Sequence, residues 1–418
     1  MNKFKDIFKF VFVTCITFNF SICAFADTAA PLTLKDVMLA ATQTHPTVTM
    51  KRKEYEASLY SVESTEWQRF PSFSVTTSNS PLSTSPVTIL TFDQPIWAGG
   101  RITANIESSR AKAISAEAAV FEAEQTILAK TIAAFSEILR LQSKLVASNE
   151  NIEEHQRLLA LIERRASSQI SPETEVTLAM SRLQQVKSEQ VHLQTQLVNA
   201  RADLEQLISA PVGQLRVPAF KLSIDKKFDD LLSQAMAYSP RINKLNYEVV
   251  ASDYETDVKR SNLMPQLSIR HQEFIGGNFP VNTTFLAFSF QPGNGLSSLS
   301  NIKESVSKRD AAELNMDVAK KELADELRTD WFKVESSRAE MDIYSKLVES
   351  TRSQYESSVR LYAAGRKSWL EVLNSRKEAS QAKYQLADSE WSGFLSTMKI
   401  KINTGTINEF MINSNADK

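Results

Sequence analysis

The sequence predicts a mainly α-helical chain with a small β part, built by duplicating one helix–hairpin–rod–helix unit. Three observations carry this. Residues 101–171 and 296–364 contain neither Gly nor Pro. Each stretch follows a pair of short segments with the alternation of strands. A helix break at His45-Pro46 recurs as Ser239-Pro240, 194 positions later.

The first rod shows why these stretches read as long helices. Apolar residues recur every seven positions at Ala113, Val120, Ile127, Ala134 and Leu141, and again at Ile138, Leu145, Ile152 and Leu159. That period belongs to a helix laid along other helices. At 1.5 Å rise per residue such a rod would be about 105 Å long, far beyond the needs of an ordinary core. Residues 173–210 form a return helix with its own heptad seam, from Val176 and Ala179 to Leu204 and Leu207. The helical region 34–70 and this return helix together match one rod in length, so stacked end to end they would cover it.

The second unit repeats the first. With the 194 spacing held, Ala41 meets Ala235, Glu54 meets Glu248, Tyr60 meets Tyr254 and Pro71 meets Pro265. The organisation expected is a first repeat over 27–210, with hairpin 72–97, rod 101–171 and return helix 173–210. A linker follows at 211–227. The second repeat spans 228–402, with hairpin 266–291, rod 296–364 and return helix 366–402, and a tail covers 403–418.

Residues 1–26 read as a secretory signal. Lys3 and Lys5 precede an apolar run from Ile7 to Ile22, and Ala24-Phe25-Ala26 has the small-residue pattern of a cleavage site. Lipidation at Cys23 is disfavoured by Ile22 before it. The only other cysteine is Cys15, so cleavage would leave a chain without disulfides, held by packing alone. The net charge of −1 excludes a nucleic-acid footprint.

The strands are the second pointer. Leu286, Phe288 and Phe290 share one face, while Gln266, Ser268, Arg270 and Gln272 lie opposite Leu267 and Ile269. Polar-in, apolar-out strands of about ten residues are the signature of an outer-membrane barrel. Four strands cannot close one, since about eight are the minimum. Three copies would give a 12-stranded barrel continued by a tube of helices. The rival reading is a soluble periplasmic coiled-coil scaffold or adaptor, which would carry a single helical hairpin rather than two rods.

The order of several short motifs completes the sequence argument. They are the two helix breaks, Phe70-Pro71-Ser72 and Met264-Pro265-Gln266 entering the hairpins, and the run Phe92-Asp93-Gln94-Pro95-Ile96-Trp97-Ala98-Gly99-Gly100-Arg101. The turns Ser171-Pro172-Glu173-Thr174-Glu175-Val176 and Arg360 to Leu373 follow. In this order and spacing the chain resembles the TolC family of outer-membrane efflux and type I secretion channels, over residues 34–402. The resemblance implies a homotrimer in the outer membrane of a Gram-negative bacterium, with the barrel in lipid and the helical tube in the periplasm. It also implies two partners, a periplasmic adaptor (membrane fusion protein) and an inner-membrane ABC or proton-driven transporter.

No enzyme activity, cofactor or metal is expected. The four histidines are scattered, and Glu153-Glu154-His155 lacks metalloprotease spacing and reads as a solvated face. The functional candidates come from the resemblance, which implies a periplasmic gate at the helix turns. By motif, Tyr362 and Lys367 match linking positions, with Glu175 and Thr174 as expected partners. Glu371 matches an acidic-ring position, and Asn374 stands where a second acid is common. Apart from that, Glu371 and Lys367 could be a solvated i, i+4 pair. Ser168, Ser171, Pro172, Gly365 and Ser368 form the adaptor-docking tips, with Ser168 in place of the usual Gly in the first. Trp97 stands at a strand end, where a membrane-interface aromatic belt would place it, and packing against its own hairpin is the equal alternative.

Overall fold

In the computed structural model, the described residues are 31–78, 86–220, 222, 224, 226–275, 282–291 and 297–407. The expected signal, Cys15 and Cys23, the hairpin tips, Gly276-Gly277 and most of the tail lie outside them.

Two helices of equal length dominate: α3 over Arg101–Ser167 and α7 over Ser297–Ala363, each 67 residues or about 100 Å at 1.5 Å rise. The others are half-length or shorter. They are α1 (Leu34–Thr44), α2 (Pro46–Glu66), α4 (Glu173–Ile208), α5 (Phe228–Tyr238), α6 (Pro240–Ser261) and α8 (Trp369–Asn403). Four strands, β1 (Ser72–Ser78), β2 (Val87–Trp97), β3 (Gln266–Ile275) and β4 (Thr283–Ser289), form one antiparallel sheet in the order β1-β2-β3-β4.

The duplication is visible in the numbering. Leu34, Pro46 and Ser72 open elements that recur 194 positions later at Phe228, Pro240 and Gln266. Val87, Arg101 and Glu173 recur 196 positions later at Thr283, Ser297 and Trp369. The change from 194 to 196 falls inside the hairpins, so the second hairpin region is two residues longer than the first.

Packing arranges the helices into four columns. In the half next to the sheet, α2 packs on α3, α3 on α6, and α6 on α7. In the other half, α4 and α8 both pack on α3, and α8 also packs on α7. The half-length helices are therefore stacked, α2 above α4 and α6 above α8, and the rods run the whole height. The sheet continues the same order, because each strand joins one column. Both assemblies are open, with β1 and β4, and the α2/α4 column and α7, left at the edges.

The two seams meet in a belt at mid-height. Ile132, Phe135 and Ile138 of α3 pack with Val37 and Met38 of α1, Leu204 of α4, and Phe394 and Met398 of α8. The segment after α4 is strapped across this core. The Leu32 amide donates to the Gln214 carbonyl at 2.8 Å, the Arg216 amide donates to the Leu32 carbonyl at 3.0 Å, and the Phe220 ring lies 4.7 Å from Phe394 and 5.8 Å from Trp391. A second core at the far end joins Leu158 and Ile162 of α3, Ala179 of α4, Tyr355 and Tyr362 of α7, and Trp369 and Val372 of α8.

Several boundaries differ from the sequence expectation, each for a local reason. The first rod ends at Ser167, because Gln169 takes a left-handed conformation with φ 57°. The return helix of the second repeat begins at Trp369, since Ser368 caps it. The first return helix ends at Ile208, where Ser209 turns left-handed at φ 53°. Helix α2 tightens into a single 3-10 turn at Trp67–Arg69 before Pro71. At Gly99, with φ 60°, an added Cβ would stand 2.5 Å from the Met264 Cβ, so only glycine lets β2 turn into α3 against the β3 entry.

Cross-strand register sorts the sheet into two faces. One carries Phe73, Val75, Leu90, Phe92, Leu267, Ile269, Leu286 and Phe288, interrupted by Gln94, His271 and Glu273. The other carries Ser72, Ser74, Thr91, Asp93, Gln266, Ser268, Arg270 and Gln272, interrupted by Val87, Ile89, Phe274 and Phe285, with Arg270 paired to Asp93 at 2.8 Å. No helix covers the apolar face: Phe288 is 70% exposed and Leu286 62%. Among the described residues, no helix is long and apolar enough to cross a membrane.

Replacing Phe394 by Ala removes a fully buried ring from the belt and should cost about 3–5 kcal/mol. The strap over 211–227 should then become the first site of limited proteolysis, whereas the parent should be cut there no faster than elsewhere.

Candidate functional site: the helix tips

The two tips are built by the same device. After α3, the Ile170 amide donates to the Arg165 carbonyl at 2.9 Å. After α7, the Arg366 amide donates to the Leu361 carbonyl at 2.8 Å. Both bonds reach back five residues, the pattern of a left-handed helix end. Gly365 supplies the left-handed residue of the second tip at φ 70°, and Gln169 supplies it in the first at φ 57°. The residue standing in for glycine is thus Gln169, not Ser168, whose hydroxyl donates to the Arg164 carbonyl at 3.0 Å. A Cβ in this conformation costs about 1 kcal/mol.

The helices that leave the tips start differently. Ser368 caps α8: its hydroxyl accepts from the Glu371 amide, and the Glu371 carboxylate accepts from the Ser368 amide at 2.8 Å. These bonds hold the Glu371 carboxyl below its ordinary pKa, ahead of any charge effect of Lys367. Lys367 precedes the helix, so the i, i+4 pair does not form. Pro172 occupies the matching position before α4 and offers no side-chain cap. Glu175 is the counterpart of Glu371, each being the third residue of its helix.

Tyr362 joins the tips. Its hydroxyl donates to Glu175 Oε2 at 2.7 Å and lies 3.1 Å from Ser171 Oγ. Its ring packs 5.0 Å from Trp369, and the Arg165 guanidinium sits 4.9 Å from the ring centroid. Burial, then the Glu175 carboxylate, raise the Tyr362 pKa, so the hydroxyl stays protonated and can donate. Lys367 does not meet Thr174, which is exposed. Its ammonium reaches Ser358 Oγ on α7 at 3.0 Å, because the turn folds it back along its own rod. Pro172, Gly365 and Ser368 are exposed at the end of the molecule, and Ser171 is half-buried under Tyr362. Trp97 lies far away, half-exposed at the helix end of β2.

About two turns above the tips is a second cluster that the sequence reading missed. Tyr355 of α7 donates to Glu154 of α3 at 3.1 Å. Arg376 of α8 is buried, with Nε donating to Asn151 of α3 at 2.9 Å and its guanidinium 5.4 Å from the Tyr355 ring. His155 is only 4% exposed. The Glu153-Glu154-His155 run is therefore not a solvated face: Glu153 is exposed, Glu154 ties α3 to α7 through Tyr355, and His155 is buried. The signal was available, since His155 lies three positions beyond Ile152 on the heptad seam. Burial, and then the charges of Arg376 and Arg182, push its pKa down to about 4. Among the described residues, no group of three or more His, Cys, Asp or Glu could hold a metal.

With fold and tips in view, the relatives can be placed. Residues 38–210 match the outer membrane efflux protein family. The chain is 22% identical over 305 residues to outer membrane protein TolC of Salmonella enteritidis and 17% identical over 303 residues to the alkaline protease secretion protein AprF of Pseudomonas aeruginosa. Each match covers 68% of this chain and 62% of the relative. The outer membrane protein VceC of Vibrio cholerae superposes with a TM-score of 0.78 at 13% identity, over 89% of this chain and 96% of that one. The first repeat is similar to the outer membrane efflux protein family, and the fold is TolC-like. The superposition on VceC covers 89% of this TolC-like chain, so the likeness is not confined to the first repeat.

Two measurements test the tip chemistry. Gln169→Gly should raise stability by about 0.5–1 kcal/mol by relieving the left-handed side chain, and Gly365→Ala should lower it by a similar amount. His155 is held neutral, so the unfolded chain takes up its proton first. Its contribution is complete above pH 6.5 and falls as the pH drops toward 4, by up to roughly 3 kcal/mol. Thermal melts between pH 4 and 7 should show a shallower acid loss for His155→Gln than for the parent.

Proposed function

We propose that this chain is a passive outer-membrane exit channel, working as a homotrimer in a tripartite efflux or type I secretion system. The carrying observation is the open sheet with an uncovered apolar face. Unpaired strand edges call for more strands, and the exposed row of Phe73, Phe92, Ile269, Leu286 and Phe288 calls for lipid. Three copies supply 12 strands, enough to close a barrel with the Ser, Thr and Gln face toward water. The helical columns then continue it as a tube through the periplasm of a Gram-negative cell. Energy comes from an inner-membrane ABC or proton-driven transporter, reached through a periplasmic adaptor at the tips around Ser168, Ser171, Pro172, Gly365 and Ser368.

The edges of the helical layer support the same assembly. On α7, Leu314, Val318, Phe332, Ile343 and Leu347 form one exposed stripe, and on α4 Met180, Val191 and Val198 form another. Steps of 4, 7, 11 and 14 residues keep each stripe on a single helix face. These edges cannot meet within one chain, but they can meet between neighbouring copies.

At the tips, Tyr362 and Glu175 hold the two helical hairpins of each subunit together, Lys367 braces the second tip through Ser358, and Glu371 sits at the start of α8 facing solvent. In this reading the first group keeps the channel closed and the second, repeated by symmetry, forms an acidic ring. The Tyr362→Phe, Lys367→Ser variant should conduct more at rest than the parent in planar bilayers while remaining trimeric, since closure is a balance of a few kcal/mol. Glu371→Gln keeps the cap of α8 but removes the charge, so cation selectivity should fall without loss of stability. Parental conductance and selectivity in both variants would place the gate elsewhere. Recovery of the protein as a soluble periplasmic monomer would remove the channel reading.

A further inference from the structure

We infer that the cleft enclosed by α3, α4 and α8 above the tips is a binding site for a small oxyanion. The cleft has a volume of about 270 Å³ and is lined by His155 of α3, Arg182 of α4, and Lys377 and Tyr384 of α8. All of these come from one chain, so the site does not depend on the assembly proposed above.

Three observations point to an anion. The first is charge without carboxylate partners. Arg182 donates to Gln185 at 2.9 Å, and neither it nor Lys377 makes an ion pair among the described residues. Arg376 lies behind the lining, bonded through Nε to Asn151, itself a lining residue. The neighbouring acids are engaged elsewhere: Glu150 pairs with Lys383, and Glu154 with Arg157 and Tyr355. The one carboxylate of the cleft, Glu189, makes no ion pair with Arg182 or Lys377.

The second observation is unmet hydrogen bonding. His155 and Arg376 are 4% and 7% exposed, and His155 Nδ1 and Arg376 Nη2 have no partner. Buried polar atoms in this condition are costly. His155 lines the cleft, and with its proton on Nδ1 the ring would donate to an oxygen atom there. The third observation is the local field. Burial first, and then the charges of Arg376 and Arg182, hold His155 below its ordinary pKa, so two cations act on the ring that lines the cleft.

The chemistry that answers all three is a sulfate, a phosphate or a similar multivalent oxyanion. It would bridge Arg182 of α4 and Lys377 of α8 across α3, and so tie the two hairpins together above the gate.

The test uses the full-length protein in detergent at neutral pH. Sulfate and phosphate are titrated to a few millimolar against chloride at constant ionic strength, with calorimetry and melting as readouts. The parent should show saturable binding and a melting temperature higher by ~3 °C. The Arg182→Gln, Lys377→Gln variant should bind at least ten-fold more weakly and lose the shift. These residues are surface-accessible, so the variant should fold and assemble as the parent does. Absence of saturable binding to the parent, or an equal response in parent and variant, overturns the site. The channel reading is unaffected either way, because trimer formation and conductance are measured separately.

Discussion

A helix of 67 residues cannot bury its apolar seam against itself, and this constraint organises the molecule. Each rod has to be covered along about 100 Å by something of equal length. The chain meets the requirement with half-length helices stacked in pairs. Stacking puts a junction at mid-height, and there the belt of Phe135, Leu204, Phe394 and Met398 forms under the Phe220 strap. It also fixes the sheet, because the columns deliver the strands in the order in which they pair.

The same constraint leaves the structure incomplete as a single chain. Four columns in a row cover the inner rod on both sides but the outer rod on one side only. The row keeps two apolar edges, and the sheet keeps two unpaired edges and an apolar face. Closure by symmetry would remove the helical and sheet edges at once, and lipid would cover the apolar face. The alternative, an isolated chain, would expose Val198, Phe332, Leu286 and Phe288 to water. Tight contacts such as that between Tyr362 and Glu175 then acquire a role, since they set how closely the hairpins approach at the open end.

Much of the architecture was legible in the sequence because it rests on periodicity and on breakers. Seven-residue spacing gave the rods, Pro46, Pro71, Pro240 and Pro265 gave the helix ends, and the fixed offset gave the duplication. Strand alternation showed both sheet faces, although Gln94, His271 and Glu273 interrupt the apolar one. The site was less legible. The meeting of Tyr362 with Glu175 could be carried over by motif, but the direction of Lys367 could not, because it follows from backbone torsions in the five-residue turn over 364–368. Gln169 was missed for the same reason: a left-handed residue other than Gly leaves no mark in composition. Arg376 and His155 look like surface residues in any count of charges, and only three packed helices make them interior. The second apolar stripe on α4, at Met180, Val191 and Val198, was hidden by the stronger seam beside it.

The central claim is that the α4 edge of one copy packs on the α7 edge of the next. Gln190 meets Asn149 and Tyr355 meets Glu154, which sets Val198 and Ile343 at the same height along the rods to within about one turn. Within one chain they lie on opposite edges of the row, with α3 and α8 between, roughly 25 Å apart or more at 8–10 Å per helix pair. A disulfide needs Cα atoms closer than about 7 Å. The sequence has only Cys15 and Cys23, both before residue 27, so the parent oxidised alongside the Val198→Cys, Ile343→Cys variant shows what the engineered pair alone adds. Mild oxidation in outer membranes should give covalent dimers and trimers that return to monomer on reduction. A chain that stays monomeric under oxidation, with both thiols free, would contradict the account.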